Sequence, residues 1–225
     1  MAKKVFIAVG HGGSDPGAVA NGFKEKDLNL SIALACKDEL VRHGATVQMS
    51  RYKDENDNTT VTECNAFNPD LAADIHNNAG GGDGAEVFYH YKGGTGKTLA
   101  EYILGEIVKI GQNSRGIKTK RNASGNDYFA FIRETKAPAV IVECAFLDNK
   151  KDIAILDTAA EQKAMGVAIA KGILKTLGIA YVEEKKTTNE SGKLYRVQVG
   201  AYSVKANAEA MQKKLKADGY DAVIV

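Results

Sequence analysis

The stretch VGHGGSDPGAVANGFKEKDLN, residues 9–29, follows the apolar run KKVFIAV and leads into a helical pattern. An unbroken apolar run suits a strand buried on both faces. Gly10, Gly12, Gly13, Pro16 and Gly17 then make a turn-rich loop. Ile32, Ala35, Cys36 and Leu40 recur at helical spacing beyond it, and Gly44 stops the turn. Strand, loop and helix repeat further along. TVQMSR, DLAADIHN, GAEVFYHY and AVIVEC read as strands. Leu99, Tyr102, Ile103, Ile107 and Ile110 form a helical stripe ending at Gly111, and Met165, Ile169, Ile173 and Leu177 form another before Gly178. This alternation predicts an α/β fold with a mostly parallel central sheet flanked by helices, spanning residues 1–177.

In such sheets, sites form beyond the carboxyl ends of the strands. His11, His76 and Glu143 stand at three such ends, and the first loop brings Glu25. Two imidazoles and a carboxylate suit a catalytic zinc ion that keeps a position for water, and the remaining carboxylate is then free for proton transfer. The spacing defines no local motif, so each residue also has a plainer reading. A histidine is commonly structural, and Glu25 in KEKD also fits solvated surface. Glu143 is harder to place that way, because an acid closing the run AVIV needs a partner. His43, in RHG at a helix end, fits a cation favoured by the helix dipole. His90 ends a strand and is the one substitute ligand to consider.

Bulk properties narrow the partners. The 225 residues are 44% hydrophobic and 26% charged, with a formal net charge of +2, which gives no basis for nucleic-acid binding. Cys36, Cys64 and Cys144 are odd in number and form no CxxC pair, so neither a disulfide framework nor a thiolate zinc site is expected. Cys36 lies on an apolar helical stripe and reads as a buried thiol. The apolar run after MAKK is too short for a signal peptide, and no run is long enough to cross a membrane. The expectation is synthesis in the cytoplasm without a signal peptide and no membrane partner.

A nucleotide-binding protein is the rival reading. GGTGKT, residues 93–98, lies between a strand and a helix as a P-loop does, but the glycine required five residues before Gly96 is Tyr91. VGHGGSDPG fails as a dinucleotide fingerprint because Asp15 holds the third glycine position.

The stretches GHGGSDPGAVANGFKEKDLNLSIA, DIHNNA, SRGIK and PAVIVECAFLDNKKD closely resemble the zinc-dependent N-acetylmuramoyl-L-alanine amidases of the type 3 family, over residues 3–177. The resemblance implies that His11, Glu25 and His76 are ligands of a zinc ion (Zn2+) and that Glu143 is the catalytic glutamate. Asn78 and Asn149 match recurrent polar positions, and a substrate-binding or supporting role is carried over for Asn78 alone. Two departures flank the site: Ala8-Val9 replaces the usual Asp-Pro, and Cys144-Ala145 the usual Thr-Gly. The implied activity is cleavage of the amide between N-acetylmuramic acid and the L-alanine of the peptidoglycan stem peptide, in a phage endolysin or a mother-cell lysis enzyme acting on the wall after release. The alternative within wall biology is a catalytically inactive wall-binding protein.

Residues 178–193 are polar and aperiodic and read as a linker. LYRVQVGAY, NAEAMQKKLKADG and YDAVIV then read as a strand, a helix and a strand, residues 194–225. This small βαβ unit resembles the first half of a SPOR domain, a module associated with peptidoglycan. One copy leaves strand edges and an apolar face uncovered, with Val197, Val199 and Ala201 on the strand and Met211 and Leu215 on the helix. The expectation is therefore a homodimer through the tails, which rebuilds a four-stranded sheet.

Overall fold

The computed structural model describes residues 2–56, 60–184, 198–217 and 222–224. They divide into two compact units, Met1–Val182 and Glu183–Val225.

In the first unit, β1 (Lys4–Val9) is buried along nearly its whole length, as its apolar run requires. A hairpin of β2 (Val19–Ala20) and β3 (Phe23–Lys24) then delivers the chain to α1 (Glu25–Arg42). There follow β4 (Thr46–Met49), α2 (Thr60–Phe67), β5 (Leu71–Asn78), β6 (Ala85–Tyr89) and α3 (Thr95–Lys109). Next come β7 (Ser114–Lys118), α4 (Ala130–Glu134), β8 (Ala139–Phe146), α5 (Lys150–Ile153) and α6 (Ala159–Thr176). The six-stranded sheet has the order β4-β1-β5-β8-β6-β7. β6 runs antiparallel to β8 and β7 follows it in parallel, so the sheet is mostly parallel with a reversed edge pair.

The long helices α1, α3 and α6 cover one face, where Val5, Ile7, Ile75, Val87, Val140 and Val142 meet Ile32, Leu99, Ile103 and Ile169. α6 starts at a capping box, with Thr158 and Glu161 satisfying each other's backbone N–H groups. The opposite face carries a smaller cluster of Phe6, Ala72, Ile141, Phe131 and Ile132, covered by the short helices α2 and α4. That half-covered face is where polar side chains reach the sheet.

Six elements go beyond the sequence reading. β7 is the stretch SRGIK, whose charges and Gly116 give no strand periodicity; it holds its place as an edge strand paired to β6. α2, α4 and α5 are too short to show a stripe, and the β2–β3 hairpin has only two residues per strand. His43 stands at the C-cap of α1, the helix end where its place in RHG puts it. Its Nδ1 donates to the Glu39 carbonyl at 2.9 Å while Nε2 accepts from the Val182 N–H at 3.0 Å, so the ring bridges two backbone groups. Residues 179–182 were placed in the linker. They are irregular, yet they pack on the first unit: Tyr181 stacks on His43 with centroids 4.9 Å apart, and Lys171 Nζ lies 4.2 Å from the Tyr181 ring centroid.

In the second unit, α7 (Lys205–Ala217) occupies the expected helix, with Met211 and Leu215 both part-buried along it. Residues 198–202 and 222–224 carry no strand ladder among the described residues, and Val197 with the rest of the flanking runs lies outside them. All three cysteines are buried free thiols, as expected for Cys36. Among the described residues no helix is long and apolar enough to cross a membrane.

Candidate active site

His11 follows the end of β1 with φ at 61°, a left-handed conformation that costs a non-glycine residue about 1–2 kcal/mol. Two contacts hold it there. The backbone of Gly12 and Asp15 closes a tight bridge, and Asp15 Oδ2 lies 2.8 Å from His11 Nδ1. With Nδ1 engaged, the other nitrogen turns inward and sits 3.1 Å from Glu25 Oε2. Glu25 is the first residue of α1 and is only 4% exposed. Its second oxygen accepts from the Asn77 N–H at 3.2 Å and lies 3.0 Å from His76 Nδ1. His76 near the end of β5 thus completes the set. Ligand atoms of His11, Glu25 and His76 all fall within 4.8 Å of one another.

Two glycines permit this crowding. A Cβ at Gly10 would lie 2.2 Å from the His76 ring, so only a glycine lets that imidazole cross the end of β1. At Gly17, φ is +63° and a Cβ would meet Glu25 Oε2 at 2.5 Å.

The electrostatics follow from this packing. Burial alone would push the Glu25 carboxyl up, but the two imidazoles and the Ala18 N–H outweigh it and hold the carboxyl far below its ordinary range. The carboxylate in turn raises His11. The cluster thus concentrates demand for positive charge at one point. Its donor set, two ring nitrogens and one carboxylate oxygen from separate segments, fits a zinc ion with a position left open. Asp15 behind His11 is the supporting carboxylate such sites use to fix a ring.

Glu143 lies on β8 as the register partner of His76 on one side and of Glu86 on the other. Its Oε2 is buried without a hydrogen-bond partner. Burial pushes this carboxyl up to about 7; His76 opposes the shift, while Glu25, Asp74 and Glu86 add to it. An unpaired carboxyl beside the cluster is suited to exchanging a proton with bound substrate or water. A cavity of about 250 Å³ opens here, lined by His11, His76, Asp74, Val61 and Phe131.

The other candidates fall elsewhere. Asn78 donates to Glu86 Oε1 at 3.3 Å, next to the site. Asn149 caps α5 and donates to the Gly82 carbonyl at 2.8 Å, which makes it a loop support. His90 follows Tyr89, whose partner is Val140, so it lies toward the other end of β8, where it pairs with Asp127 at 3.0 Å. GGTGKT enters α3 at that same end, away from the cluster. Sequence reasoning passed over Asp15, Asn29, Arg51 and Asp74. Asp74 is two residues before His76 on a strand and so shares its face, and Asn29 is one helical turn past Glu25; both periodicities were readable.

The family model for N-acetylmuramoyl-L-alanine amidases matches residues 5–175. The chain belongs to this family of peptidoglycan hydrolases. A SPOR domain model matches residues 169–225. The sporulation-specific N-acetylmuramoyl-L-alanine amidase of Bacillus subtilis (strain 168) is 35% identical over 230 residues, covering 99% of this chain and 84% of that protein. The endolysin of Bacillus phage SPP1 is 33% identical, over 97% of this chain and 86% of its own. Among solved structures, Cwp6 from Clostridium difficile has a TM-score of 0.77 at 40% identity, over 79% of this chain and 30% of Cwp6. AmiC2 of Nostoc punctiforme, an N-acetylmuramoyl-L-alanine amidase, has a TM-score of 0.71 at 29% identity, over 78% of this chain and 97% of its own. Within the amidase fold, the two departures from the family pattern, Ala8-Val9 and Cys144-Ala145, are all buried, and none supplies a ligand atom to the cluster.

Proposed function

We propose that this amidase is zinc-dependent and cleaves the bond between the lactyl group of N-acetylmuramic acid and the L-alanine of the stem peptide. The observation that carries the reading is the convergence of His11, Glu25 and His76 beside the unpaired Glu143. His11, Glu25 and His76 would hold the ion. When bound, zinc supplies Lewis-acid polarisation of the carbonyl and acidifies water. Glu143 takes the proton from the attacking water and returns it to the nitrogen of the departing peptide as the C–N bond breaks. A muramoyl carboxylate and a free L-alanine amine are the products. Asp15 keeps the His11 ring in the orientation that presents Nε2.

The biological setting we infer is that of an endolysin or a mother-cell lysis enzyme, in line with the two relatives above. Residues 194–225 serve as the wall-binding unit and join two copies into a homodimer, the 178–193 segment connecting each to its catalytic domain, residues 1–177. Digestion of purified peptidoglycan tests the activity: new amino groups on L-alanine are expected, and new reducing sugar ends in their place would overturn the reading.

A further inference from the structure

One charged group beside the site is unused by this mechanism. Glu86, 5% exposed, sits on β6 one strand beyond Glu143. Its Oε2 accepts from Arg115 Nε at 2.8 Å and from Lys118 Nζ, both on β7, and its Oε1 accepts from Asn78. Two cations thus share one buried carboxylate. The cations themselves are not buried: their side chains are 37% and 34% exposed. Arg115 lies over Phe146, its Cζ 4.9 Å from the ring centroid. Only its Nε is occupied, and its two Nη groups donate to no acceptor among the described residues. The nearby Asp83 carboxylate instead takes Asn113 Nδ2 at 2.8 Å.

The layout across the sheet is His76, Glu143, Glu86, Arg115, on four successive strands. Strands lie about 4.8 Å apart, which puts Arg115 roughly 10 Å from Glu143 at the backbone. In the substrate the N-acetylated sugars carry no charge, whereas the stem peptide carries carboxylates. A carboxylate on the second peptide residue lies five bonds from the scissile nitrogen, on the order of 6–7 Å, within the span that these side chains close. We propose that Arg115, seconded by Lys118 and aligned by Glu86, binds a carboxylate on the second residue of the leaving peptide and so sets which end of the substrate lies over β6 and β7. This rests on the amidase reading above. A planar guanidinium with a free two-nitrogen edge suits a bidentate carboxylate.

The test uses the full chain and two soluble N-acetylmuramoyl peptides that differ only in whether the second residue bears a free carboxylate or its amide. Arg115→Gln should raise KM for the carboxylate substrate about tenfold or more and leave kcat and the amide substrate within about twofold. Arg115→Lys should recover part of the loss, and Lys118→Gln should show a smaller version of it. An equal effect of Arg115→Gln on both substrates, or on neither, would overturn the inference while leaving the amidase reading intact. Failure of the wild-type chain to release L-alanine-terminated peptide from either substrate would overturn both.

Discussion

Arg51 Nη2 donates to the carbonyl of Lys26 at 2.7 Å and to that of Gly10 at 3.4 Å, so one side chain ties the residue after Glu25 to the residue before His11. Its Nε and Nη1 reach the carbonyls of Val9 and Lys53, and the residue is 1% exposed. Replacement by methionine fills similar volume but strands several buried carbonyls. Arg51→Met should cost about 3 kcal/mol or more in denaturant melts and weaken zinc binding by competition with a chelator. Unchanged stability would show that solvent reaches these carbonyls.

Glu143→Gln should retain metal and fold, because the amide is nearly isosteric and the native oxygen it replaces is already unpaired. Turnover should fall about a hundredfold to ten-thousandfold, the usual contribution of a general base. Measuring turnover and zinc content on one preparation checks this; near-normal turnover would move the proton-transfer role to another group.

Removing a ligand should separate metal from fold. His76→Ala should lose stoichiometric zinc by elemental analysis while keeping a cooperative melt, since the core beneath it is apolar. His90→Ala, remote from the cluster and paired with Asp127, should keep its zinc. The reverse pattern would refute the ligand set.

Acid should weaken the α1 end through Glu39. Burial opposes its ionised form, but the Arg42 guanidinium outweighs this and holds the carboxyl below its ordinary 4.5. The stability it adds is therefore fully present above about pH 4.5 and is lost as pH falls through the lower folded value. Glu39→Gln should be less stable than wild type at pH 7, with the gap narrowing toward pH 3 in urea titrations. A constant gap would assign the effect to packing.

The tail prediction is one of mass. The full chain should scatter light as a dimer at tens of micromolar, and a chain ended at Val182 as a monomer. A monomeric full chain, or a truncated chain that stays dimeric, would rule out association through the tail.

Much of this molecule was readable in its letters because the strands that carry the site are continuous apolar runs, and a residue ending such a run lies toward the carboxyl end of its strand. His11, His76 and Glu143 stand at such ends, and Glu25 came from the loop after the first strand, which the structure shows leading into α1. Arg51 was not readable, because it reaches the backbone carbonyls of Val9, Gly10, Lys26 and Lys53, and carbonyls leave no mark in a sequence. The Glu86, Arg115 and Lys118 group was equally hidden. Its strand pairing needs a register shift between Ala85 and Val87 that no periodicity announces. Charged residues on a short edge strand read as solvated surface until the neighbouring strand is known.

The seat of Tyr181 on His43 bears on how such enzymes are recombined. A chimaera spliced directly after Leu177 discards the ring that covers His43 and the N–H that its Nε2 accepts, and bares the patch where Ile179 packs. A splice after Val182 carries that seal along. Exchange of targeting modules should therefore tolerate a wide choice of partners at the later junction and yield sticky, short-lived protein at the earlier one.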